Sequence, residues 1–316
     1  MNFPVFDLHC DTALALLGEK MRAMGSMRKN EGHIDLERAA TLSGYAQCFA
    51  CFTTPWEHMP DGMTVTQLFD NEMVTILREV EANRDLIELA YTASDVKKLY
   101  QKGKMSAILT IEGPAGFDFD PELLEDLYKV GFRITTLGWN EKNPLCGSHK
   151  TGGGLTEKGR EYVFEAQRLG MLIDVSHLSD EGFWDIAEIT NGPIIASHSN
   201  SRAVYNVSRN LTDDMFQAIC RTGGVAGLNL YAHFLGENAT LDTACDHILH
   251  FMELGGAKHI ALGGDLDGCE LLPEGFAGVQ DYPKLADALL ARGLSENEVM
   301  DIFWNNALGV IEKCCM

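Results

Sequence analysis

Positive charge is scarce in this chain. Lys and Arg number 25 against 46 Asp and Glu in 316 residues, a net charge of −21, which excludes a surface built to track nucleic-acid phosphates. Long apolar runs are missing as well, for no stretch holds the roughly 18 uninterrupted apolar residues that a membrane span needs. The opening residues MNFPVFDLHCDT have no basic cluster and set polar groups where a signal peptide would be apolar. A soluble, unexported protein with no membrane or nucleic-acid partner is expected. Pro/Ser-rich linkers, internal repeats and low-complexity tracts are also lacking, which predicts a single domain over residues 1–316. The nine cysteines are odd in number, scattered and mostly embedded in apolar runs. They suit reduced thiols in the cytoplasm better than a disulfide framework. An apolar fraction of 46% allows a large core and excludes intrinsic disorder.

Eight short apolar runs recur along the chain, over residues 3–9, 45–52, 107–112, 133–139, 171–177, 193–198, 224–230 and 259–265. Between them lie stretches such as 66–89, 156–169, 211–221 and 240–254, with apolar residues at three- and four-residue steps. Continuous apolar strands with helical crossovers imply a covered parallel sheet, and eight such units closed on themselves make an α/β (β/α)8 TIM barrel. A doubly wound open sheet is the competing architecture. The barrel is preferred because polar residues capable of chemistry end strand after strand, at the face where barrel active sites form. Residues 18–32 read as a long loop after the first strand, and residues 295–313 as a final helix capped by Ser295.

The first run ends DLHCDT, and in an extended strand His9 and Asp11 project to one side while Cys10 points to the other. The pair offers an imidazole and a carboxylate to one point; the plainer alternative makes Asp11 or Thr12 a cap and His9 a core residue. Glu112 terminates AILTIE, where a buried carboxylate demands a cation, strong donors, or an ion pair such as one with Arg133. His177 and His198 close IDVSH and IIASH on adjacent strands. Together with His9, Asp11 and Glu112 they supply five nitrogen and oxygen ligands to one barrel mouth, enough for two metal ions if Glu112 bridges them. The last run ends ALGGDLDG, in which Gly263 and Gly264 let the backbone approach whatever lies in the mouth. Asp265, directly after the strand, is the candidate acid/base, and Asp267 a turn or cap residue. The segment SNSRAVYNVSRN carries Arg202 and Arg209, either of which could fork a substrate carboxylate.

Taken in order, LHCD, IEGP, IDVSH, IIASHSNS and LGGDLDG closely resemble the motifs of the renal or membrane dipeptidase family, dizinc enzymes on amidohydrolase-like barrels. The match runs over most of the chain. The resemblance implies one zinc held by His9, Asp11 and Glu112 and a second held by Glu112, His177 and His198. It implies Asp265 as catalytic acid/base and favours Arg209 as the substrate-carboxylate arginine. One departure stands out. Mammalian members carry a substrate-binding histidine after the fourth strand, whereas this chain reads TTLGWN, with Trp139 there and Asn140 next. Indole donates one hydrogen bond and does not titrate, so carbonyl polarisation at that point is weaker, absent or supplied by Asn140.

The implied activity is hydrolysis of a small dipeptide, including those with a C-terminal D-residue, by a hydroxide held between the two zincs, with Asp265 passing the proton to the departing nitrogen. Manganese or cobalt suits the same ligands. The resemblance leaves a homodimer open. An N-acyl-amino-acid deacylase or lactonase on the same dimetal barrel is the nearest alternative, and a non-catalytic metal-containing binding protein a more distant one. Other features read plainly: Cys48 and Cys51 as core thiols on opposite strand faces, His247 and His250 as surface residues, GSHKTGGG with His149 as a flexible connection beside the site, and Cys314 and Cys315 as a frayed tail.

Overall fold

A computed structural model describes residues 2–18, 26–53 and 62–315. Nine parallel strands run through them: β1 (Val5–Cys10), β2 (Tyr45–Phe52), β3 (Ile87–Leu89), β4 (Met105–Glu112), β5 (Phe132–Thr136), β6 (Leu172–Asp174), β7 (Ile194–Ile195), β8 (Ala226–Leu228) and β9 (Ile260–Leu262). Eight of them follow the order β7-β6-β5-β4-β2-β1-β9-β8. The ends of that path meet through a parallel bridge between Ala196 and Ala226, where Ala196 N donates to Val225 O (3.0 Å) and Gly227 N to Ala196 O (2.8 Å). The expected (β/α)8 barrel is therefore the architecture. Glycines let backbone approach backbone at this seam. A Cβ at Gly227 or at Gly263 would overlap the Ser197 carbonyl.

The ninth strand departs from the expected count. The helix expected over residues 66–89 stops early, running Val65–Ala82 from a capping box on Thr64. The chain then turns at Asn83, whose amide Nδ2 bonds back to Glu79 O at 2.8 Å. Ile87–Leu89 next pairs with Met105, Ser106 and Ala107 at the start of β4, on the edge that β5 takes over from Leu109 onward. The other covering helices lie close to expectation, at Glu157–Leu169, Asp213–Thr222 and Leu241–Glu253. Of the loop expected over residues 18–32, positions 19–25 lie outside the described residues; from Ser26 the chain bridges back to Lys29.

Two apolar layers fill the molecule. The larger joins strands to covering helices and includes Phe49, Cys51, Leu109 and Ile111. The smaller gathers Phe6, Cys48, Ile108, Ile134 and Leu172 with Trp304, Leu308 and Ile311 from the end of the chain. Cys48 and Cys51 thus face opposite layers, as their spacing predicts. The final helix starts at Ser295 with a capping box to Glu298, passes through a π-helical turn at Asp301–Asn305 and ends at Cys314. Cys315 is 1% exposed, so the last thiols belong to a docked helix rather than to a frayed tail.

Candidate active site

Each candidate ligand sits where a strand gives way to a loop at the C-terminal face. The pairing register of β1 slips between Asp7 and Cys10, and such a bulge re-aims the side chains beyond it. Cys10 joins the outer core, while His9 and Asp11 meet, with Nε2 to Oδ2 at 3.4 Å. Asp11 makes no cap bond to the helix that follows. Thr12 Oγ1 instead donates to Asp267 Oδ2 (2.7 Å), and Asp267 Oδ1 accepts from His33 N (2.6 Å), a loop-tying role. Glu112 ends β4, and Gly113 turns the chain away at φ +81, where a Cβ would overlap the Thr53 carbonyl. Arg133 does not pair with Glu112: it stacks 3.9 Å over the Tyr128 ring and donates to the carbonyls of Tyr91, Tyr128 and Phe132.

The two oxygens of Glu112 part company. Oε2 lies 3.2 Å from His9 Nε2, whereas Oε1 lies 3.0 Å from His177 Nε2 and 3.8 Å from His198 Nε2. The His177 and His198 Nε2 atoms are 2.9 Å apart. Ligating atoms of His9, Glu112 and His198 fall within 4.8 Å of one another, as do those of His9, Asp11 and Asp265. His9 Nε2 is buried yet lacks a hydrogen-bond partner among the described residues. Three clustered carboxylates and an orphaned imidazole nitrogen fit divalent cations with nitrogen and oxygen ligands.

His177 and His198 are each anchored through Nδ1, which leaves Nε2 toward the cluster. Asn140 Oδ1 accepts from His177 Nδ1 (3.2 Å). Ser197 Oγ donates to Asp174 Oδ2 and so accepts from His198 Nδ1 (2.6 Å). In each ring the Nδ1 proton is spoken for and the Nε2 lone pair faces Glu112. Burial pushes the pKa values of His177 and His198 well down, and the Arg209 and His9 charges add to the effect. Burial also opposes protonation of His9, but the Glu112 and Asp11 carboxylates outweigh it and hold His9 well above its ordinary range.

Asp265 stands at φ +57 and His177 at φ +70, strained conformations for non-glycine residues that cluster at working sites. Burial raises Asp265 to about 6, with the Asp11 and Glu112 charges pushing the same way and His9 and Arg209 opposing. Arg209, 5% exposed, reaches Ser199 Oγ at 3.1 Å and His177 Nε2 at 3.1 Å, and its buried Nε has no acceptor among the described residues. Arg202 is taken up elsewhere, paired with Asp180 at 2.7 Å. A cavity of about 470 Å³ opens over the cluster, lined by Trp139, Asn140 and Arg209 among others. Trp139 packs edge-on against Phe52 with ring centres 5.1 Å apart.

Several contributors were not expected. Asn229, after β8, is fully buried and bonds Asp265; its only sequence signal is a polar residue closing GVAGLNL. Buried Asp174 organises the ends of β6 and β7, accepting from Ser176 N and Ser197 N at 2.9 Å each. Asp7 does the same for β1 and β9 through His9 N and Gly264 N, both 3.0 Å. The glycines of LGGD serve packing rather than the mouth: a Cβ at Gly263 would strike the Ser197 carbonyl and one at Gly264 the Tyr282 hydroxyl. Gly268 is the glycine that borders the cluster, since a Cβ there would overlap Asp11 Oδ2. The GSHKTGGG run is a pinned turn, not a loose connection, with His149 N bonded to His177 O at 2.8 Å. His247 is buried, not a surface residue, accepting from Ser201 N and reaching Leu235 O. His250 pairs with Asp213 at 2.8 Å.

Carboxylates and imidazoles converging on the C-terminal mouth of a (β/α)8 barrel define a metal-dependent hydrolase. Comparison with known proteins narrows the class. The chain belongs to the membrane dipeptidase family, peptidase family M19, whose model matches residues 1–315. It is 36% identical over 223 residues to an uncharacterized dipeptidase of Schizosaccharomyces pombe, a match that takes in 68% of this chain and about half, 54%, of that relative. A second S. pombe protein named as a dipeptidase is 32% identical over 299 residues, 89% of this chain and 72% of its own length. The crystal structure of a Rhodobacter sphaeroides metallo peptidase, liganded with a phosphinate mimic of the dipeptide L-Ala-D-Ala, superposes with a TM-score of 0.89 at 28% identity over 99% of this chain and all of that one.

Proposed function

We propose that this chain is a metal-dependent dipeptidase built on one barrel domain. His9, Asp11 and Glu112 would hold one cation and Glu112, His177 and His198 a second, with zinc the expected metal and manganese or cobalt admitted by the same ligands. The observation that carries the reading is the division of Glu112, one oxygen toward His9 and the other toward His177, beside a buried arginine with an unpartnered Nε. When bound, the metal pair supplies an activated water and draws charge from the scissile carbonyl.

The chain's own residues do the rest. Arg209 forks the free C-terminal carboxylate, a small anion's counter-charge in an otherwise acidic protein. Asp265, whose Oδ2 is held by Asn229, takes a proton at Oδ1 and hands it to the leaving nitrogen. Trp139 and Phe52 wall the cavity and exclude water, and Asn140 offers an amide donor to the substrate. Acceptance of a C-terminal D-residue is supported by the L-Ala-D-Ala mimic bound to the R. sphaeroides relative. Among the described residues no helix is long and apolar enough to cross a membrane, and the free cysteines suit the cytoplasm.

Metal content measured alongside a dipeptide panel with L- and D-isomers tests the reading. Chelator-sensitive dipeptide turnover supports it. Turnover confined to N-acyl amino acids or lactones would replace it with the deacylase or lactonase alternative.

A further inference from the structure

The connection between β5 and the helix Glu157–Leu169 doubles back on itself and brings a fourth imidazole beside the cluster. His149 lines the same cavity as Asn140 and Arg209. Its Nε2 lies 2.7 Å from Asn140 Oδ1 and its Nδ1 2.8 Å from Ser208 Oγ. The amide oxygen only accepts, so Nε2 carries the proton and Nδ1 takes the Ser208 hydroxyl proton.

Asn140 Oδ1 thereby accepts two imidazole protons, one from His149 and one from His177 Nδ1 at 3.2 Å. That double load fixes the amide against flipping. Its Nδ2 has no acceptor among the described residues, and Asn140 borders the cavity. Both ring nitrogens of His149 are occupied, so it does not itself reach substrate.

We infer that His149 is a positioning residue: it locks the Asn140 amide so that Oδ1 secures His177 and Nδ2 is presented to the substrate carbonyl, and through Ser208 it ties this arrangement to the loop carrying Arg209. The inference rests on the dipeptidase reading for its substrate, though the hydrogen-bond relay stands apart from it.

The test compares His149→Leu, His149→Gln, Asn140→Ala and the Leu/Ala double variant in the metal-loaded protein. Asn140→Ala is expected to lower kcat by on the order of 100-fold, the usual loss for one transition-state donor, and to weaken one of the two cations in a titration of metal-stripped protein. His149→Leu is expected to lower kcat by about tenfold with KM nearly unchanged and both cations retained. His149→Gln, whose amide still donates to Asn140, should recover most of that loss. In the Asn140→Ala background His149→Leu should cost nothing more, because its effect passes through Asn140. Additive losses, an effect on KM alone, or unchanged kinetics would overturn the inference. If the wild type turned over no dipeptide, the dipeptidase reading would fail by itself, and 15N spectra of the His149 ring would still decide the relay. A proton fixed on Nε2 in the wild type and redistributed in Asn140→Ala sustains it, and an unaltered ring refutes it.

Discussion

Asn229 donates its amide Nδ2 to Asp265 Oδ2 across 3.0 Å, leaving Oδ1, 3.9 Å from His9 Nε2, as the oxygen turned to the carboxylate–imidazole cluster. The same Nδ2 also holds His198 O at 3.2 Å, so one amide orients Asp265 against the segment that carries His198. Replacing Asp265 with Asn should keep both cations and lower kcat by on the order of 100-fold or more. Asp265 must be ionised to accept a proton, and burial raises it to about 6; nearby cations pull a carboxylate pKa down. The acid limb of kcat/KM is therefore expected at or below about pH 6, and a pH–rate profile with its acid limb above neutrality would assign the proton transfer to another group.

Glu112→Gln should weaken both cations together, since the two oxygens serve different imidazoles. Elemental analysis after dialysis is expected to find substantially less than two ions per chain, with neither site left intact. Retention of one full equivalent would mean that Glu112 serves a single cation.

Gly268→Ala drives a methyl group into the Asp11 carboxylate and against Asp265 Oδ1, 2.7 Å from the added carbon. Displacement of reacting groups by about 1 Å costs roughly 100-fold in rate, and a loss of that order is expected together with weaker metal retention. Gly309→Ala, where an added Cβ meets nothing within 4 Å, provides the contrast: kinetics unchanged and a slightly higher Tm.

His247 gives the fold its own pH sensitivity. Its Nδ1 accepts from Ser201 N at 3.1 Å, and burial lowers its pKa, so the folded ring is neutral. A histidine depressed on folding contributes its stability above its unfolded value of about 6.5 and loses it as pH falls below that value, because the unfolded chain then binds the proton more tightly. The stability of metal-free protein in urea should fall between about pH 7 and about pH 5, with the His247 share no more than about 1.4 kcal/mol per pH unit for its one proton and the buried His149, His177 and His198 adding to the decline. His247→Gln should be less stable throughout and show a shallower decline. Equal slopes would remove His247 from the pH response.

The residues that converge at the barrel mouth were legible because polar groups closing aliphatic runs have no reason to be there unless something satisfies them; His9, Glu112, His177 and His198 all stand out this way. The residues that orient them did not. Asp174, Ser197 and Asn229 look like ordinary polar positions until folding brings partners 23 to 36 residues apart into contact. Asn140 and His149 likewise meet only because the turn after β5 doubles back. The short strand Ile87–Leu89 was hidden inside an apolar pattern continuous with the preceding helix, and the polar turn at Asn83 that separates them carries no glycine or proline. His247 is buried, and a histidine among helical polar residues gives no sign in the sequence that its face is inward. The GG of LGGD suggests close approach at the mouth, whereas the space reserved there belongs to Gly268.

The seam between β7 and β8 carries a last implication. The cylinder closes there on backbone alone, over a carbonyl at Ser197 that only hydrogen atoms at Gly227 and Gly263 can accommodate. A methyl group at either would leave the wall ajar and draw His198 away from His9, whose rings now lie 3.9 Å apart. Chemistry at the mouth is thus hostage to two residues that possess no functional group of their own.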